Sequence, residues 1–113
     1  MELRCPDPAA NPYLVLAVCL EAGLDGIRNQ ITPPDAVTEN VFEMQLPQRA
    51  KLGIESLPGD LEQAVEELEK DDYIKNVLGG HITEKYLEAK RKEWHEYCRH
   101  VSDWETESYL YKY

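Results

Sequence analysis

The sequence has 113 residues and a mass of 13.0 kDa, enough for one small domain with a modest core and little left over to enclose a large pocket. Its 42% hydrophobic and 30% charged residues exclude wholesale disorder. Twelve basic against 22 acidic side chains leave a net charge of −10, which repels phosphate backbones and anionic headgroups and excludes general nucleic-acid or basic membrane-surface binding.

Residues 1–12, MELRCPDPAANP, hold three prolines, and the Pro-Asp-Pro triplet excludes a helix interior. Glu2-Leu3-Arg4 alternates polar and apolar, as a strand end does. Asn11-Pro12 predicts a helix start, with Asn as cap and Pro at the first helical position. The helix is expected over residues 12–29. Tyr13 through Leu20 is apolar without interruption, so it is expected to be covered on nearly every side. A chain of this length has little surface to spare for that, which points to more chain or a partner subunit as the cover. Residues 30–59 carry four prolines and two glycines and predict an irregular connector. One helical turn is expected at Gln48–Leu52, with Val41-Phe42 and Met44–Leu46 as apolar pegs. A connector this long tends to be functional or docked on something.

Helices are predicted across residues 60–101. Asp60 or Gly59 opens the first, and Leu61, Ala64, Val65 and Leu68 recur at i, i+3, i+4 and i+7. Asp60 and Glu62 lie where the helix dipole favours negative charge. A short helix carrying Tyr73-Ile74 and Val77-Leu78 is stopped by Gly79-Gly80. A long charged helix is expected from Ile82 to Val101, with Thr83 as a cap and Ile82, Tyr86, Trp94, Tyr97 and Val101 as its stripe. The last stretch, 102–113, restarts at Ser102 or Asp103. Seven of the ten aromatic residues lie in 84–113, and an aromatic-rich end wants a pocket, its own or a neighbour's. The fold class is mainly α, with a short strand remnant at residues 2–4.

Few residues carry obvious chemistry. No apolar run approaches the roughly 20 residues that span a bilayer. The acids and prolines ahead of Tyr13 argue against a signal peptide. Cys5, Cys19 and Cys98 make no disulfide framework, so the cytoplasm is the expected compartment. Eight acids against Lys70 in Glu55–Asp72 predict a solvated face, and the D-x-D-x-D-G spacing of a calcium loop is absent. His95 and Cys98 share a helix face, but a structural zinc needs four ligands, Cys5 and Cys19 are not spaced to complete the set, and His100 is displaced around the helix. A Cys–His nucleophile pair would lack an oxyanion hole and an orienting acid. His81 is expected to close a turn. Glu2 and Arg4 are more informative, because residues i and i+2 of a strand share a face. They are either a surface ion pair or a metal ligand beside a phosphate clamp, since magnesium prefers carboxylate oxygens and guanidinium suits phosphate.

The triplet belongs to a longer pattern. E-x-R-x-P-D-P-A-A-N-P-Y-L continues into AGLDGIRN at 22–29, TPPDAVTENVFEM, GIESLPGDLEQAVEELEKD, a long helix ending in KEW, and the aromatic end. This combination resembles the C-terminal segment of the catalytic domain of bacterial type I glutamine synthetase, from residue 2 essentially to the end. The resemblance implies a helical fragment of an α+β catalytic domain, with residues 1–11 as active-site strand end and Pro-rich turn, 12–29 as buried helix, 30–59 as connector, 60–101 as helices and 102–113 as aromatic strap. It implies a part of an ATP-dependent glutamate–ammonia ligase that works through γ-glutamyl phosphate. Glutamate, ammonia and ATP are its expected partners, with Mg2+ or Mn2+, in a homo-oligomeric dodecamer. No nucleic acid or membrane is involved.

By the same resemblance, Glu2 stands where the family has a metal ligand. Arg4 stands where the family contacts the transferring phosphoryl group, a catalytic and nucleotide-binding place. The family's other metal ligands, nucleotide site and ammonium-site aspartate correspond to sequence before residue 1, and Met1 stands where Val or Ile is usual. The segment alone is therefore expected to be inactive, to bind no cofactor and to self-associate through its apolar helix. Trp104, Leu110 and Tyr111 are the expected oligomer contacts. Phe42 falls at the place of the tyrosine that some members adenylylate, and without a phenolic oxygen no adenylylation is expected. The alternative is a free-standing acidic helical module that binds glutamine synthetase subunits or their regulators through its aromatic end. Such a module has no use for Glu2 and Arg4.

Overall fold

The structure, a computed structural model, describes residues 2–112 and divides into two compact units, Met1–Gly59 and Asp60–Tyr113. Among the described residues all regular structure is helical, and no helix is long and apolar enough to cross a membrane. The expected strand remnant at 2–4 is absent. A strand is sustained by the ladder it makes with a neighbour, and among the described residues these three have no backbone partner.

In the first unit, Asp7 turns the chain by accepting from the Ala9 N–H at 2.8 Å. Helix α1 follows at Pro12–Arg28. Asn11 Oδ1 accepts from the Tyr13 and Leu14 N–H groups at 3.0 and 3.4 Å, and Pro12 takes the first position, where its missing donor costs nothing. The helix ends in a Schellman closure, in which the Ile31 N–H reaches back to Gly26 O at 2.9 Å and the Gln30 N–H to Ile27 O at 3.2 Å. This geometry places Gln30 at φ 53°, the left-handed region that favours glycine. No residue of α1 is buried. Tyr13 is 83% exposed and Leu16 69%, so the all-round cover anticipated for this helix is not supplied by the chain itself.

The connector is less irregular than its prolines suggest. Helix α2 spans Leu46–Lys51 and starts two residues earlier than expected, because Pro47 is tolerated in a first turn. It ends in the same Schellman pattern, Ile54 N–H to Arg49 O at 2.9 Å and Gly53 N–H to Ala50 O at 3.2 Å, with Gly53 at φ 67°. Of the apolar pegs, Met44 is buried.

The second unit contains α3 (Leu61–Lys70), α4 (Asp72–Leu78), α5 (Gly80–Cys98) and α6 (Asp103–Tyr109). Helices α3, α4 and α5 pack on one another. Asp60 caps α3 through the Gln63 N–H at 2.9 Å, and Asp71 caps α4 through the Ile74 N–H at 3.0 Å. Of the α3 stripe, Val65 is buried, Leu61 and Leu68 are half-buried, and Ala64 is exposed. Gly79, at φ 78°, ends α4 and caps α5. Because the Thr83 N–H bonds Gly79 O at 3.0 Å, α5 begins at Gly80 rather than Ile82, and His81 lies in its first turn instead of closing a loop.

Thr83 is therefore no cap. It is buried, and its hydroxyl donates to Lys75 O at 3.2 Å. Lys75 Nζ in turn donates to Glu69 O at 2.6 Å and pairs with Asp72 at 2.7 Å, so one lysine ties the end of α3 to α4. The inward face of α5 runs through Thr83, Tyr86, Leu87, Lys90 and Trp94. The expected stripe was shifted around the helix, since Ile82, Tyr97 and Val101 are exposed, and Val101 lies beyond the last helical residue, Cys98.

Gln30→Gly removes the left-handed penalty while keeping the closing hydrogen bonds. It should stabilise the chain by on the order of 0.5–1 kcal/mol, read as a raised denaturant midpoint at unchanged m.

Candidate functional site

The Pro-rich entry segment presents Glu2 and Arg4 side by side. Arg4 Nε donates to Glu2 Oε1 at 2.7 Å, and the Arg4 and Glu2 side chains are 83% and 71% exposed respectively. The contact uses one carboxylate oxygen and one of the five guanidinium donors. The pair thus presents a hard anionic oxygen beside a planar cation. The first suits a divalent metal and the second an anion's oxygens. On its own such an exposed pair contributes only about 0–1 kcal/mol to stability.

A second feature is the turn at Asn40–Met44. Asn40 Oδ1 accepts from the Phe42 N–H at 3.1 Å, and its Nδ2 donates to Glu43 at 2.9 Å. Arg49 reaches back from α2, its Nη2 donating to Val41 O at 2.8 Å. With Met44 buried beneath the turn, Phe42 is held outward at 95% exposure. Arg49 escapes sequence reading, because a side chain clamping a carbonyl eight residues away leaves no periodic signal. Its Nε is buried with no hydrogen-bond partner among the described residues.

Elsewhere the titratable groups form surface networks. A groove of about 260 Å3 between α3 and α5 is lined by Glu62, Val65, Glu66, Glu69, Arg91, Trp94 and His95. Arg91 and Glu69 close an ion pair across it. Lys70 is pushed up by its hydrogen bond to Glu67, Asp72 is held down by its hydrogen bond to Lys75, and Glu88 by its hydrogen bond to Lys85. These are helix-surface pairings three residues apart. His95, Cys98 and His100 are all exposed. Among the described residues no three His, Cys, Asp or Glu side chains converge where a metal ion could be held. Any metal bound through Glu2 would need its remaining ligands from beyond these residues.

The sequence matches the family described as glutamine synthetase, catalytic domain, over residues 1–109. The chain belongs to that family. It is 53% identical to a glutamine synthetase of Thermotoga maritima over 111 residues, 98% of this chain and 25% of the relative. It is 48% identical to one from Clostridium saccharobutylicum over 113 residues, 100% of this chain and 26% of the relative. A third, from Methanocaldococcus jannaschii, is 48% identical over 110 residues, 97% of this chain and 24% of the relative. Bacterial and archaeal glutamine synthetases thus match about equally well, so the similarity identifies the family and not a bacterial branch of it. The chain spans about a quarter of the length of these relatives.

The stretch matched to the glutamine synthetase family takes in α6. That helix opens with a full capping box. The Ser102 N–H and Oγ donate to Glu105 Oε2 at 2.8 and 2.9 Å, and the Glu105 N–H donates to Ser102 Oγ at 3.2 Å. Trp104 and Tyr109 meet edge to face, with ring centroids 5.8 Å apart. Trp104, Leu110 and Tyr111 remain mostly exposed.

Backbone and side-chain hydrogen bonds from Ser102, aided by nearby His100, hold the Glu105 carboxyl below the ordinary glutamate value of roughly 4.3. Its folded value is depressed, so the stabilisation is present above the unfolded value and lost as pH falls through the folded one. In an NMR titration the Ser102 amide should shift with a midpoint below that of an exposed glutamate. Glu105→Gln should abolish the transition.

Proposed function

We propose that this chain serves as the C-terminal segment of the catalytic domain of a type I glutamine synthetase, an ATP-dependent ligase that joins ammonia to glutamate through γ-glutamyl phosphate. The family match covering residues 1–109 carries this reading. The adjacency of Glu2 and Arg4 supports it at the level of chemistry. Glu2 is read as one carboxylate ligand of a divalent metal, and its exposed oxygens fit that use as a single member of a larger set. Arg4 is read as the cation that contacts the transferring phosphoryl group.

The bound metal with ATP supplies charge neutralisation and the phosphoryl donor. This chain's residues act by placement. The turn from Pro6 to Pro12 restrains the segment that carries both side chains, Glu2 offers a hard oxygen, and Arg4 offers planar donors where negative charge accumulates. In this reading α1 is apolar because the remainder of the catalytic domain covers it. The exposed apolar side chains around α6 (Trp104, Leu110 and Tyr111) dock on neighbouring subunits of a homo-oligomer in the cytoplasm.

Two experiments test the reading. The 113-residue chain alone should release no phosphate from ATP in the presence of glutamate, ammonia and magnesium, whereas the assembled synthetase containing it should turn over. Glu2→Gln in that assembly should lower activity by about 100-fold or more, and retention of wild-type turnover would refute the metal role. At the connector turn, Phe42 offers no phenolic oxygen. Treatment with an adenylylating enzyme and labelled ATP should leave the wild type unlabelled, while Phe42→Tyr supplies the missing acceptor.

A further inference from the structure

We draw no further inference here: the strongest candidate, the groove between α3 and α5 lined by Glu62, Glu66, Glu69, Arg91, Trp94 and His95, is an acidic cluster around the Arg91–Glu69 ion pair, and nothing in the structure shows what covers it.

Discussion

The structure depends on an apolar helix that its own chain cannot cover. From Tyr13 to Leu20 every side chain of α1 is apolar, yet none of the helix is buried. Its ends are well made, with the Asn11 cap, Pro12 in the first turn and a Schellman closure at Gln30. The helix is therefore specified locally and left unsatisfied globally. Full burial of a leucine or valine side chain contributes roughly 1.5–3 kcal/mol, and Leu16 and Leu20 of α1, 69% and 64% exposed, realise only part of it. The chain spans about a quarter of the length of the relatives it matches.

The second unit solves its problem differently. With only Val65 and Thr83 buried among its described residues, it relies on polar ties between helix ends. Glu69 O, Lys75 and Thr83 form a chain of contacts that joins α3 to α4 and α4 to α5. Lys75 satisfies a carbonyl at the end of α3 with a positive charge, where the helix dipole also favours a cation. The ion pair from Arg91 to Glu69 adds a bridge from the middle of α5. Specific hydrogen bonds thus supply orientation where buried apolar area is scarce.

Much of this was legible in the sequence. Asn11-Pro12, Asp60 and Ser102 announce helix starts through short side chains that bond nearby backbone donors, and all three act so. The apolar stripe of α3 also emerges at helical spacing. The face of α5 is not legible from its apolar residues, which suggest a core through Tyr97 and Val101, whereas the inward positions include buried Thr83 and half-buried Lys90. Period alone does not distinguish an aromatic waiting for a partner from one packed within the chain. Arg49 and Lys75 were also missed, since both act on carbonyls six to eight residues away. At the candidate site, the adjacency of Glu2 and Arg4 was readable from their spacing. The expected strand was not realised, because a ladder needs a neighbour that two-residue alternation cannot supply.

Asp71 closes α3 and opens α4, and Gly79 closes α4 and opens α5. No slack lies between these helices. One extra residue at either junction would turn the following helix by about 100° about its axis and carry Thr83 away from its carbonyl. From Asp60 to Cys98 the chain is consequently indifferent to many changes of side chain but intolerant of any change of length, with the rotational phase of each helix handed on by the one before it.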